Sequence, residues 1–404
     1  MAEQTQETMT SGFGYKDKAG RFEYGKITDA AVNALKARIG VERSRNIQPR
    51  HLKDMAFTPA RIRSMAIRSG DYNPLYLDRD YACKSVHGDL VVPPWALSGI
   101  EVINARTDGM PGLHAWFRGT IMEWKRPLKV GDILIGKTYL RDVKVVPSRT
   151  SGQAVVQEYE SIGTNQDGEE IGRVYTSWHR AEREASKNIA LNQKMRGIAQ
   201  YTAEDIEKIQ RDYENEFRRG GVPLYWEDVQ IGEELPVTAQ GPTSQAQRTV
   251  GEGGGYGTGG SGDWSVGHKQ VLLDLFEKHP GLPFINEWGI PEVPVVIHNS
   301  NERCQRYLGL PGAYDGGAQR VGWTIHMLTN WAGDYGIVKK FALRFPTFNI
   351  MGDTTWCGGK VSGKRIDEDQ HIVEIEYWNH NQLGITVTDG SAEMVLPSKN
   401  SPKR

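Results

Sequence analysis

The sequence contains little cysteine, no long apolar run and no surplus of either charge. Its three cysteines, Cys83, Cys304 and Cys357, lie far apart and form no C-x-x-C pair, so we expect neither a disulfide framework nor a bound metal, and we predict a reducing, cytoplasmic location. No apolar run approaches the roughly 20 residues that cross a bilayer. Lys and Arg number 49 against 50 Asp and Glu, which gives no reason to expect a nucleic-acid or membrane partner.

The composition is that of a folded, soluble protein with two domains, because 404 residues with 38% hydrophobic and 25% charged side chains are too many for one ordinary core. Residues 1–20 are polar and lack the apolar core of a secretory signal, so we predict a flexible arm. The stretch 181–221 is charged and rich in helix-forming residues, and it predicts a helical linker between globular units at 21–180 and 222–404. Gly251–Trp264 is expected to be a surface loop, with a lid over a site as the alternative.

An internal repeat relates the two predicted units. Gly352-Asp353 follows Gly131-Asp132 by 221 residues, and His298 follows Tyr76 by 222. In each half a polar segment precedes a central helix, near 95–106 and 319–334, and alternating apolar and polar residues then predict antiparallel strands. We therefore predict an α+β fold in which each half is a long helix wrapped by a curved antiparallel sheet.

A motif in the first half resembles the signature of the MaoC-like acyl-CoA hydratases and dehydratases, which reads G-D-x-N-P-(apolar)-H, then five residues, then a small residue. The match covers Gly70, Asp71, Asn73, Pro74 and Ala82, but Tyr76 stands where the family has its catalytic histidine. Residues 92–94 (VPP) and 224–236 (LYWEDVQIGEELP) resemble two further family segments. The resemblance covers most of residues 25–180 and 222–398 and implies a tandem double hot-dog.

In that family, an Asp and a His orient one water, and backbone N–H groups at the mouth of the central helix hold the thioester oxygen. The first half keeps Asp71 and Asn73 but has Tyr76 for the histidine. Its helix mouth carries Pro93 and Pro94, and proline has no N–H to donate. We expect this half to be supporting, with Asp71 and Asn73 bracing a turn and Tyr76 packing. Catalytic roles for Asp71 and Tyr76, and substrate binding by Asn73, remain the alternative.

The second half has the histidine and the helix-mouth N–H groups that the first half lacks, but it lacks the aspartate that the first half keeps. His298 stands at the histidine position, and Gly316 and Gly317 at the helix mouth can offer N–H groups and admit a ligand closely. Val293 replaces the signature aspartate, so Asp315 or Glu292 would have to act with His298. The plainer interpretation is that His298 is a solvated loop histidine and that Asp315 caps the helix. Four other histidines have no motif around them and are set aside: His87, His114, His268 and His326.

The resemblance implies a hydro-lyase that adds or removes water across the 2,3 double bond of an enoyl-CoA, with chemistry at His298 in the second half. The alternatives are a non-catalytic hot-dog that binds acyl thioesters, and a hot-dog thioesterase. The implied partner is a CoA or carrier-protein thioester, which is the substrate, and no separate cofactor is expected. Hot-dog units pair through their sheet edges, so we also predict a homodimer of chains.

Overall fold

The computed structural model describes residues 12–13, 26–42, 56–100, 110, 113–148, 152–182, 197–246, 276, 283–292 and 294–400. Its helices are α1 (Asp29–Lys36), α2 (Pro59–Ser69), α3 (Pro74–Leu77), α4 (Arg79–Lys84), α5 (Ala203–Glu214), α6 (Asn301–Leu308) and α7 (Gly317–Ala332). Short 3-10 helices cover Pro94–Ile100, Trp226–Asp228 and Pro294–Asn299.

Twelve strands are described, and they form two sheets. The strands are β1 (Gly12–Phe13), β2 (His114–Trp124), β3 (Ile135–Ser148), β4 (Gly152–Thr164), β5 (Glu170–Ala181), β6 (Thr238–Gln240), β7 (Phe284–Ile285), β8 (Pro291–Glu292), β9 (Ile337–Arg344), β10 (Thr355–Asp367), β11 (Gln370–Asn381) and β12 (Thr386–Leu396). The large sheet has nine strands in the order β3-β4-β5-β2-β9-β12-β11-β10-β6, and the small sheet has the order β1-β7-β8.

Each half of the sequence supplies one side of the large sheet. β2 to β5 come from the first half and lie together, and β6 and β9 to β12 come from the second half and lie together. The halves meet where β2 pairs antiparallel with β9, for example Thr120 with Leu343. All pairings between these strands are antiparallel, as the alternating sequence pattern predicts. The β2–β9 pairing removes one exposed edge from each half.

The second half contains the long central helix. α7 is buried along Gln319–Ala332, because the strands wrap it and α2 packs beside it. The helix is not apolar throughout: among its buried residues, His326 and Asn330 have hydrogen-bond partners in Glu216 of the linker. In the first half, the predicted helix near 95–106 begins as the 3-10 helix Pro94–Ile100, and its remaining residues lie outside the described part of the chain.

The predicted linker contains α5, whose first turn has a capping box in which Thr202 and Asp205 satisfy each other's backbone N–H groups. Residues 183–196 of the linker and the loop Gly251–Trp264 lie outside the described residues, as does the arm apart from the backbone of β1. No helix among the described residues is both long and apolar enough to cross a membrane.

Candidate active site

The signature of the first half folds into a turn between α2 and α3. Gly70 ends α2 with a φ of 74°, a left-handed conformation that glycine adopts without strain. The N–H of Asn73 donates to Asp71 Oδ1 at 3.1 Å, and the N–H of Leu75 donates to Asn73 Oδ1 at 3.0 Å. Pro74 occupies the first position of α3, where its missing N–H costs nothing. Asp71 and Asn73 therefore brace this turn.

Asp71 also faces the opposite half of the chain. Its Oδ1 lies 3.7 Å from Nε2 of His326 on α7, and the same Nε2 lies 3.1 Å from Oε1 of Glu216 in the linker. We call Asp71, Tyr76, Glu216 and His326 the seam cluster. Asp71, Tyr76 and His326 are each at most 3% exposed. The seam cluster thus ties together the first half, the second half and the linker.

The electrostatics of the seam cluster favour an ion pair. Burial alone would lower the pKa of His326, but the charges of Asp71 and Glu216 outweigh it and raise that pKa above its ordinary value. Burial would raise the pKa of Glu216, yet hydrogen bonds from His326 and Asn330 and the charge of Arg218 lower it. Burial, and then the charge of Asp71, raises the pKa of Tyr76 well above its usual range, so the phenol keeps its proton. The arrangement suits a clamp between the halves.

A second group of side chains surrounds the signature histidine of the second half. His298 lies on the 3-10 helix Pro294–Asn299, and its ring centroid is 4.3 Å from that of Tyr314 and 6.4 Å from that of His114. The ring of Trp116 lies 4.3 Å from His114. We call His298, Tyr314, His114 and Trp116 the His298 cluster. His298 is half-buried, whereas His114 and Tyr314 are buried.

His114 comes from β2 of the first half, and no local pattern marks it in the sequence. It reaches His298 because β2 pairs with β9 and extends past the end of β9 toward the segment before α7. Two imidazoles and one phenol therefore lie together near the N-terminal end of α7. Imidazole is the side chain most often used for proton transfer near neutral pH, so the two histidines are candidates for acid–base chemistry.

The two predicted carboxylate partners of His298 have other contacts. Asp315 accepts hydrogen bonds from Arg320 at 2.6 and 2.8 Å and one from Asn349 at 3.1 Å. Glu292 accepts a hydrogen bond from Asn286 at 3.0 Å and lies 3.6 Å from Arg303. Both carboxylates thus hold structure around the site. Val293, at the position of the signature aspartate, lies outside the described residues.

The glycines at the mouth of α7 also have structural neighbours. The N–H of Gly316 donates to Gln319 Oε1 at 3.0 Å. A Cβ on Gly317 would lie 2.6 Å from Cδ1 of Phe117. The group that approaches this glycine closely is therefore the ring of Phe117. Phe117 in turn stacks on Trp178, with ring centroids 4.8 Å apart. Within the described residues, no group of three or more His, Cys, Asp and Glu side chains could hold a metal ion.

Comparisons with known proteins agree with this architecture. Residues 51–174 match the family model described as FAS1-like, dehydratase domain region. No curated protein matches the chain. A solved structure named MaoC-like dehydratase superimposes with a TM-score of 0.60 at 19% identity, covering 90% of this chain and all of its own.

Two further solved structures show the same fold. A putative MaoC domain dehydratase from Chloroflexus aurantiacus has a TM-score of 0.52 at 11% identity and covers 86% of this chain and 93% of its own. A conserved hypothetical protein from Mycobacterium tuberculosis, described as a double hot-dog, has a TM-score of 0.50 at 12% identity, covering 85% of this chain and 93% of its own. At these identities the likeness concerns the fold, which is that of hot-dog proteins.

Proposed function

The dehydratase-region match and the hot-dog neighbours support the assignment of this chain to the MaoC-like dehydratase family, and on that basis we propose a hydro-lyase that acts on an enoyl-CoA thioester. It adds water across the 2,3 double bond or removes it in the reverse direction. The substrate is a CoA or carrier-protein thioester, and the reaction requires no further cofactor.

The proposed architecture is a tandem of two hot-dogs. Four contiguous strands from the first half and five from the second support it, as does their junction through β2 and β9. The long helix α7 fills the second unit, and the short 3-10 helix Pro94–Ile100 opens the corresponding segment of the first. We further propose that two chains associate as a homodimer in the cytoplasm.

The observation that carries the proposal is the position of His298. The ring of His298 lies against that of Tyr314. Because Tyr314 comes two residues before Gly316, the N-cap of α7, His298 is beside the end of α7 that the family uses to hold the thioester oxygen. Hydration needs a base that takes a proton from water as its oxygen adds to C3, and an acid that delivers a proton to C2. We assign the base to His298 and the acid to His114, whose ring centroid lies 6.4 Å away. The N-terminal dipole of α7 stabilises the enolate oxygen between these steps.

One observation favours the non-catalytic binder as the second candidate. Asp315 is engaged by Arg320, and the signature aspartate is replaced by Val293, so the family's Asp–His pair is incomplete in the second half. A binder with the same fold would keep the acyl-thioester site and lose turnover.

A panel of enoyl-CoA substrates distinguishes the hydro-lyase from the thioesterase and from the non-catalytic binder. Purified protein is mixed with crotonyl-, hexenoyl- and cinnamoyl-CoA, and the ultraviolet absorbance of the conjugated thioester is followed together with the release of free thiol. Loss of the conjugated double bond without thiol release supports the hydro-lyase. Thiol release would instead indicate a thioesterase, and a melting-temperature increase without either reaction would indicate the binder.

A further inference from the structure

The rings of the His298 cluster continue along the first-half sheet beyond His114. His114 and Trp116 lie two residues apart on β2, so they project from the same face of the sheet, and their ring centroids are 4.3 Å apart. Trp116 pairs across the strands with His179 on β5, which puts both rings on that face, with centroids 5.8 Å apart. Arg118 follows two residues after Trp116. We call Trp116, Arg118 and His179 the Trp116 patch.

Exposure to solvent increases along these side chains. His114 is 5% exposed, Trp116 and His179 are half-buried, and Arg118 is exposed. The Trp116 patch therefore connects the proposed acid, His114, with the surface of the protein. A thioester that reacts between His114 and His298 has an acyl end and a carrier end. The carrier end is attached to a nucleotide or to a protein, so it is the end that must leave the site toward solvent.

Two polar groups of the Trp116 patch lack partners within the described part of the chain. Nε1 of Trp116 is buried and has no hydrogen-bond acceptor there. A buried N–H group without an acceptor is unfavourable, so this donor suits a ligand that carries a hydrogen-bond acceptor. Arg118 has no carboxylate partner among the same residues, whereas the exposed Arg344 on the neighbouring strand β9 is paired with Asp389.

A β-bulge sets Arg118 apart from the pairs of the sheet. The pairing of β2 with β5 shifts its register between Phe117 and Gly119, so Arg118 stands opposite no residue of β5. Bulges of this kind re-aim a side chain. Burial, and then the charge of Arg118, lowers the pKa of His179. The imidazole is therefore neutral near pH 7 and can donate or accept a hydrogen bond, while Arg118 supplies a positive charge.

We propose that the Trp116 patch binds the phosphopantetheine arm of the thioester. This arm is a flexible chain that contains two amide groups and ends in a phosphate, and it is common to CoA and to acyl carrier proteins. Trp116 Nε1 and the imidazole of His179 hydrogen-bond with the amide groups, and the guanidinium of Arg118 binds the phosphate. This inference rests on the proposed function for the position of the thioester at the His298 cluster, but it concerns binding and not turnover.

Three thioesters of one saturated acyl group test the contribution of the phosphate. Butyryl-pantetheine, butyryl-phosphopantetheine and butyryl-CoA have no 2,3 double bond to hydrate, and calorimetric titration gives the Kd of each. We expect both phosphate-bearing ligands to bind about tenfold or more tightly than butyryl-pantetheine, a difference of about 1.4 kcal/mol. The difference should shrink as the ionic strength rises, because Arg118 is exposed. Equal affinities for all three thioesters would overturn the proposal.

The same titrations distinguish the two sources of the arm. Tighter binding of butyryl-CoA than of butyryl-phosphopantetheine would show that the nucleotide is also bound, and would identify CoA as the carrier. Equal and tight binding of these two ligands would instead indicate a carrier protein, because the arm is then recognised without the nucleotide.

Arg118→Gln tests the phosphate contact at its proposed residue. We expect this variant to bind butyryl-CoA about tenfold more weakly than the wild type and to bind butyryl-pantetheine equally well. Arg68→Gln removes another exposed arginine, at the far end of α2 beside the signature turn, and is the matched control. It should leave all three affinities unchanged. An Arg118→Gln variant that kept the wild-type preference for phosphate-bearing ligands would contradict the assignment.

Trp116→Phe tests the contact with the amide groups. It keeps an aromatic ring and removes the Nε1–H donor, so all three thioesters should bind about two- to tenfold more weakly, by a common factor. Unchanged affinities would overturn the role given to Trp116. Hydration of crotonyl-CoA and of crotonyl-pantetheine by the wild type, measured in parallel, reports on the proposed function separately. Absence of turnover with an intact phosphate preference would refute the hydro-lyase alone, and turnover without a phosphate preference would refute the arm-binding site alone.

Discussion

Nε2 of His326, on the central helix of the second half, lies 3.7 Å from Oδ1 of Asp71 in the signature turn of the first half. The signature position that would carry a histidine in the first half holds Tyr76, and the histidine that approaches Asp71 comes instead from α7 of the second half. With Glu216 at 3.1 Å from the same Nε2, His326 sits between two carboxylates that belong to different parts of the chain.

The seam cluster predicts a pH-dependent stability. The pKa of His326 is raised in the folded protein, so its contribution is fully present below its ordinary pKa of about 6.5 and is lost as the pH rises through the raised value. We expect His326→Gln to lower the free energy of unfolding most near pH 6 and progressively less at alkaline pH. Urea unfolding of the wild type and the variant, from about pH 6 to alkaline pH, measures this difference in the free energy of unfolding. His371→Gln on β11, outside the seam cluster, is the control, and a pH-independent difference for His326→Gln would contradict the ion-pair account.

Asp71 and His326 should be energetically coupled. Asp71→Asn and His326→Gln each remove one side of the pair, and neighbours of this kind usually show an interaction energy of about 0.5–3 kcal/mol. Urea unfolding of both single variants and of the double variant gives that energy directly. Strict additivity of the two effects would mean that the 3.7 Å approach contributes nothing to stability.

Asp315 is expected to act through structure. Arg320→Met leaves the Asp315 carboxylate buried without its bidentate partner, and breaking a buried pair in this way costs about 3–5 kcal/mol. The double variant Asp315→Leu with Arg320→Met removes both charges and should recover much of that loss. Thermal and urea unfolding measure both. A mild effect of Arg320→Met alone would show that the pair is not needed to hold the start of α7.

Gly317 should not tolerate a methyl group. A Cβ there would lie 2.6 Å from the Phe117 ring, so Gly317→Ala should cost about 1–3 kcal/mol although alanine normally favours a helix. Gly197→Ala, where a Cβ meets nothing within 4 Å, is the matched control. If Gly317→Ala were as neutral as this control, the contact between α7 and Phe117 would be looser than the structure indicates.

The sequence predicted the elements that depend on local pattern. The alternating strands of both halves and a central helix near 319–334, found at Gly317–Ala332, follow from periodicity and from the repeat. The contacts of His326 and His114 could not be predicted, because both depend on the β2–β9 junction between distant segments. Asp315 was predicted beside His298, and its bond to Arg320 was missed. The i, i+5 spacing of this pair is not one that neighbours on a regular helix face would have.

The most direct test of the account is the rate of enoyl-CoA hydration by His298→Ala. Losing a general acid–base group typically lowers kcat by about 10² to 10⁴. We expect that loss of kcat for His298→Ala and a similar loss for His114→Gln, with both proteins still folded. Asp71→Ala should instead lower the melting temperature and leave kcat within a few-fold of the wild type. If Asp71→Ala abolished turnover in a well-folded protein and His298→Ala did not, the chemistry would lie at the seam cluster of the first half, and the assignment made here would be wrong.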